Sequence, residues 1–315
     1  MDIRATKFFV NRIIIVVCAN LIAFGTHAAD IVFVLSKDAR PYRQFVESVQ
    51  RSLNQYQTNT ISSETILLDK YVEKPNGHRL VVAVGTMATR GVIETSTELP
   101  ILSTLIPSTV YHEIRGNATP AIRKRMAAVF IDHPLKRYIN FIKQIDPGWK
   151  RIGLLTAESN NQVNHEIKRF SRGNGIKVIH EKVKNTDEVI KTLGKVLEDS
   201  DVLLTLADPV VLNRSTAHGI LLSAYHQKVP VISYLNSYVK AGALSALYST
   251  PDDLGTQVGE FLIKVVRNKY VFPRPEQYPE IFSIEVNNRV AHSLGLDDID
   301  KEEIKRVLYK MEGIK

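Results

Sequence analysis

Cysteine is almost absent from this chain: 315 residues contain one, Cys18. It lies in an amino-terminal stretch with the pattern of a removable leader, so the mature protein is expected to carry none. That excludes disulfides, thiolate catalysis and cysteine-held metals. A membrane-spanning run is also missing. The strongest candidate, Ile13–Phe24, is twelve residues long and interrupted by Asn20, whereas a span needs about 20. Charge of one sign is not concentrated either. Lys and Arg total 41 against 33 Asp and Glu, a net +8. Basic stretches such as Arg123–Arg125 are short, and the acids are spread among them. A solvated surface is expected, not a nucleic-acid partner.

Catalytic signatures are missing too. There is no Walker phosphate loop, no G-x-G-x-x-G after a strand and no G-x-S-x-G elbow. His112-Glu113 and His165-Glu166 each lack the second histidine a zinc-binding helix places four residues on. The chain is therefore expected not to be an enzyme, with no metal site and no cofactor.

The amino terminus sets a compartment. Arg4, Lys7 and Arg12 precede the apolar run, and Thr26-His27-Ala28-Ala29-Asp30 follows it. A basic start, a short apolar core and small residues before a turn to polarity form a secretory signal peptide, residues 1–29, with cleavage after Ala28 or Ala29. Val17, before Cys18, is not the small residue that lipoprotein processing uses. A protein exported to the periplasm is the expectation.

Beyond the leader, short apolar runs alternate with amphipathic segments. Ile31–Leu35, Leu80–Val84, Ile101–Leu105, Ala127–Ile131, Arg151–Leu155, Val202–Leu206, Val229–Ser233, Ala243–Tyr248 and Phe282–Val286 have the length and β-branching of buried strands. Weaker ones lie near Thr65–Leu68 and Ile176–Val183. Helices are predicted from Arg40, Gly85 and Pro134, over 162–172, 187–198 and 211–226, from Pro251, and over 299–313. The alternation predicts an α/β fold with helices on both faces of parallel sheets. It restarts after Asp146-Pro147-Gly148, which predicts two doubly wound lobes.

In open α/β sheets a ligand sits beyond the carboxyl ends of the strands. The loops there are rich in hydroxyls, amides and tyrosines. Ser36 and Tyr42 follow the first strand, Thr86 follows Gly85, and Ser103 precedes Pro107. Ser159 and Asn160 follow the strand at 151–155, Asp208 the one at 202–206. Tyr234 and Tyr248 come last. Such groups near helix starts bind polar ligands without reacting with them, and tyrosine adds a flat apolar face with a polar tip. These nine residues are the candidate ligand site. Asp208 fits a helix N-cap equally well.

Several stretches resemble the periplasmic substrate-binding proteins of ABC transporters, in a family that includes tryptophan and tyrosine binders. They are Val82–Arg90, Leu203–Pro209, Lys240–Pro251 and Phe282–Asn287, the last leading to Ala291–Leu296. The resemblance runs from about residue 30 to 296. It implies the type I periplasmic binding protein fold: two lobes joined by three crossovers, closing around a ligand. Lobe one would comprise 30–131 and 251–280, lobe two 132–250 and 281–298, with 299–315 a C-terminal helix. Crossings are expected near 131–134, 248–251 and 275–281. The resemblance also places Thr86, Ser159, Asn160 and Asp208 on the cleft. Relatives that bind amino acids carry an Asp-Asn pair where this chain has Asp208-Pro209. The function implied is capture of a small polar or aromatic molecule, with an amino acid foremost, by a monomer serving an ABC permease. The alternative is a periplasmic adaptor that reports ligand to a membrane sensor.

Overall fold

The computed structural model describes residues 29–55, 61–71, 77–95, 97–160, 163, 166–167, 175–296 and 298–314. The leader and most of the helix expected over 162–172 lie outside the described residues.

The first sheet is built from β1 (Ile31–Leu35), β2 (Ser63–Leu67), β3 (Leu80–Val84), β4 (Ile101–Ile106), β5 (Met126–Phe130) and, from late in the chain, the two-residue β11 (Glu276–Gln277). Its order is β11-β5-β4-β3-β1-β2, and every pairing is parallel. β1, β3 and β5 are buried along their whole length. Strands covered on both faces need continuous apolar runs, and IVFVL and LVVAV supply them.

Alternate side chains serve opposite faces. Ile31, Phe33 and Leu35 pack under α1 (Arg40–Gln55) and the late helix α9 (Pro251–Arg267). Val32 and Val34 pack under α2 (Thr86–Glu94), α3 (Ser108–Asn117) and α4 (Pro120–Arg123). Helices α1 and α9 touch backbone to backbone: a Cβ on Gly255 would lie 2.5 Å from Ser48 Cβ and 2.6 Å from the Phe45 carbonyl.

The second sheet repeats the plan with β6 (Arg151–Ala157), β7 (Lys177–Val183), β8 (Val202–Thr205), β9 (Val231–Ser233), β10 (Ser245–Tyr248) and β12 (Ser283–Val286). Its order is β12-β10-β9-β8-β6-β7, parallel except for β12 against β10. One face is covered by α5 (Leu135–Ile145), α10 (Asn288–Ser293) and α11 (Lys301–Glu312). The other is covered by α6 (Val189–Glu198) and α7 (Ala217–His226), with the short α8 (Asn236–Ala241) after β9. These are the two doubly wound lobes that the alternation predicted.

Two of the departures from the expected helices have a clear physical cause. The helix expected from residue 211 starts at Ala217, because Asn213 and Thr216 spend their side chains on a turn: Asn213 Oδ1 accepts from Ser215 and Thr216 N–H at 2.9 and 3.3 Å. Helix α3 was not anticipated. Its first turn is capped by Asp132, 24 residues further on, a partner that local pattern does not reveal.

Candidate functional site

Both sheets reverse direction of strand addition beside their first strand, between β1 and β3 and between β6 and β8. At such switch points the loops of an open α/β sheet diverge, which is where ligands bind. At the lobe-one switch point stand Ser36, just after β1, and Gly85-Thr86, just after β3. Ser36 Oγ donates to the Val84 carbonyl and accepts from the Ala88 N–H, both at 2.9 Å. It thereby satisfies one of the orphan donors in the first turn of α2. Tyr42 reaches the same point from α1. Burial raises the pKa of its phenol, opposed by a hydrogen bond with Ser36. Gly85 lies between them at φ 95°, and a Cβ there would meet Ser36 Oγ at 2.6 Å and the Tyr42 hydroxyl at 3.0 Å. Ser36, Tyr42 and Thr86 are thus brought together. Gly85, on which their packing depends, was not among the nine candidates, although a glycine between a strand and a helix start was the available signal.

Thr86 opens α2 and is half-buried. The N–H groups of Thr86 and Met87 belong to the first turn, which has no intrahelical acceptors. Met87 beside it is 61% exposed. Ser103 is not part of this corner. It is 0% exposed in the middle of β4, paired with Ala83 and Ala128, and its hydroxyl is buried without a partner. Only the end of a strand and the loop beyond it reach the carboxyl edge of a covered sheet. From β4 that loop is Pro107-Ser108-Thr109.

In lobe two the carboxylate of Asp208 organises the loops. Oδ2 accepts from the Ala157 N–H at 2.8 Å and from Asn160 Nδ2 at 3.5 Å. Oδ1 accepts from the N–H groups of Val210 and Val211 at 3.1 and 3.4 Å. At 3% exposure Asp208 ties the end of β6 to the turn after β8; since the next helix starts only at Ala217, it holds a turn and a neighbouring loop and does not cap a helix. Asn160, 6% exposed, belongs to the same knot and accepts from the Val163 N–H at 3.4 Å. Ser159, just before Asn160, is exposed.

Tyr248, at the end of β10, accepts a hydrogen bond from Asn236 Nδ2 at 2.9 Å. Asn236 Oδ1 is buried and has no partner. Tyr234 is half-buried, and its phenol pKa is pushed up by burial first, then by Tyr238, Asp132 and Asp208.

The lobes touch where Thr109 Oγ1 donates to the Ala207 carbonyl at 3.5 Å. Beside this contact lies a cavity of about 20 Å³, room for one water. Ser108, Asp132 and Tyr278 line one side; Val163, Glu166, Leu206 and Ala207 line the other. The Asp132 carboxylate accepts from Ser108 N–H at 2.6 Å and Ser108 Oγ at 2.5 Å. Burial is the main cause that raises its pKa to about 6, against the hydrogen bonds from Ser108, and Glu166 adds to the rise.

A carboxyl group whose pKa is higher folded than unfolded binds more protons in the folded state between the two values. Its contribution to stability is therefore greatest in acid and falls as pH climbs from about 4 to about 6. The difference in melting temperature between the protein and Asp132→Asn should change across that window and flatten above it. A difference constant from pH 4 to 7 would show that Asp132 titrates normally.

The family model for ABC transporter substrate binding protein matches residues 44–310. The chain belongs to this family. A search of curated proteins finds no match.

Solved structures show the same fold at low identity. A ligand-free, open substrate binding protein with adhesive properties from Clostridium difficile is 19% identical, with a TM-score of 0.66 over 87% of this chain and 97% of that one. A conserved domain protein from Vibrio cholerae is 18% identical, TM-score 0.61, over 89% and 98%. An ABC domain from Streptococcus pneumoniae in complex with L-Trp is 19% identical, TM-score 0.59, over 88% and 98%. As an ABC substrate-binding protein the chain is a binder of small molecules, not an enzyme, and its partner is a transporter permease. Among the described residues no helix is long and apolar enough to cross a membrane, and no group of three or more His, Cys, Asp or Glu could hold a metal.

Proposed function

We propose that this ABC substrate-binding protein captures an amino acid with an apolar or aromatic side chain between its lobes and delivers it to an importer from the periplasm, after loss of residues 1–29. The observation that carries this reading is the corner at the lobe-one switch point. There Ser36, Tyr42 and Gly85 pack around a helix start, with Thr86 as its first residue. A helix N-terminus with unpaired N–H groups and a hydroxyl is a receptor for a carboxylate. In lobe two the tyrosines Tyr234 and Tyr248 offer flat apolar faces for a side chain. Asn236 Oδ1, buried and unpaired, is an acceptor for an ammonium. Asp208 is not needed for that role, since backbone donors already engage both of its oxygens. The pneumococcal relative bound to L-Trp supports the ligand class.

The test begins with native mass spectrometry of freshly purified protein to identify a retained molecule. Calorimetry then compares Thr86→Val with the parent. Removing the hydroxyl while keeping the shape is expected to weaken binding by about 0.5–1.5 kcal/mol, the worth of one hydrogen bond, and by more if the ligand group is charged. Melting temperature should be nearly unchanged. Full affinity in the valine variant would move the site away from Thr86.

A further inference from the structure

We propose that the C-terminal helix α11 is a strut that sets the resting angle between the lobes, acting through Arg137 on all three chain crossings, so that Glu312 and Arg137 are positioning residues for ligand capture. Arg137 lies in the first turn of α5 and is 3% exposed. Its guanidinium makes a two-pronged bond to Glu312 at the end of α11, Nε to Oε1 at 2.8 Å and Nη2 to Oε2 at 2.5 Å. The remaining nitrogen, Nη1, donates to the Pro279 carbonyl at 2.6 Å and lies 2.7 Å from His133 Nδ1. The guanidinium also stands 4.6 Å over the Phe282 ring.

These contacts form one chain through the hinge. Arg137 can only donate, so His133 Nδ1 is an acceptor and the imidazole proton sits on Nε2. Burial, with Arg137 beside it, holds the His133 pKa well below its ordinary value, which keeps the ring neutral. Nε2 then donates to Ser249 Oγ at 3.4 Å, and Ser249 donates to the Ile281 carbonyl at 2.5 Å. His133 is in the first crossing, Ser249 in the second, Pro279 and Ile281 in the third.

The third crossing is gripped from both lobes. Gln257 of α9 donates to the Tyr278 carbonyl at 3.0 Å and accepts from the Glu280 N–H at 2.8 Å. Tyr309 of α11 stacks on Phe282 with ring centres 4.5 Å apart, and its hydroxyl accepts from the Phe282 N–H at 3.2 Å. Helix α11 is itself fixed to lobe two by Ile304 and Leu308, both in the lobe-two core. A rigid element anchored in one lobe therefore holds the backbone of the segment that leads to the other. Hinges absorb rotation in a few element-terminal residues, and here those residues are tied down.

The experiment reads the angle without ligand. Cys18 is replaced by serine, and spin labels are placed on cysteines introduced at the exposed positions Gln44 and Asp187, one in each lobe. Glu312→Gln keeps the shape of the side chain and removes its charge. The interlobe distance distribution is expected to broaden and lengthen. The double variant Arg137→Gln with Glu312→Gln leaves no unpaired buried charge and should broaden it as well. Ser249→Ala, which cuts the last link, should act in the same direction.

A variant that folds cooperatively yet gives the parent's distance distribution would overturn the strut. So would a lowered melting temperature with an unchanged distribution, since that is what a purely structural ion pair predicts. A second arm rests on the proposed ligand cleft. If the closure-competent fraction falls tenfold, the apparent Kd of the identified ligand rises about tenfold. Failure of the affinity arm alone, with the distance change present, would count against the ligand reading and leave the strut standing.

Discussion

Gly85→Ala is expected to abolish ligand binding and to destabilise the protein by about 2–6 kcal/mol. Two separate costs add. The φ of 95° lies in the left-handed region, where a side chain costs roughly 1–3 kcal/mol. The new Cβ would also sit 2.6 Å from Ser36 Oγ and 3.0 Å from the Tyr42 hydroxyl, and overpacking of this kind costs about 1–3 kcal/mol. Ser36 cannot step aside without losing its bonds to Val84 and Ala88. Relief would come from moving the first turn of α2, and with it Thr86. Denaturant titration measures the stability, and calorimetry the binding. Gly295→Ala serves as the control: φ there is 72° but nothing lies within 4 Å of the added atom, so only the backbone cost of about 1–2 kcal/mol should appear. Equal stability losses in the two variants, with binding intact in the first, would mean that the corner is not packed as described.

Asp208→Asn is expected to cost about 3 kcal/mol of stability, a large effect for so small a change in shape. Both carboxylate oxygens accept backbone N–H groups: Ala157 on one side, Val210 and Val211 on the other. Whichever way the amide turns, its NH₂ faces at least one of these donors. A buried N–H left without a partner costs about 1–3 kcal/mol, and hydrogen bonds to a charged group are worth about 1.5–3 kcal/mol. The loss should appear in the denaturation midpoint of the ligand-free protein. A variant with parental stability and weakened affinity would return Asp208 to direct ligand contact.

The two roles of Asp208 look alike in sequence because both use a carboxylate just past a strand. What separates them is whether the oxygens are already engaged, and Ala157 is 51 residues away. Ser103 failed for a different reason. Its place near a strand end was legible, but three further residues of β4 separate it from the carboxyl edge, and its side chain turns into the sheet interior beside Ala83 and Ala128. Tyr42 and Ser36 were legible as neighbours of the first strand end. That they close on Gly85 from two elements was not.

The sequence by itself determined the α/β class, the two doubly wound lobes and nearly every buried strand. These follow from local periodicity and from the apolar runs that covered parallel strands require. Only the tertiary structure decided which of the loop polar groups are spent on holding the fold. It also decided how α11 reaches the crossings. Those outcomes depend on pairs such as Ser36 with Ala88, Ser108 with Asp132 and Arg137 with Glu312, separated by 52, 24 and 175 residues. A buried polar group must find a partner, and no local pattern says where along the chain that partner lies.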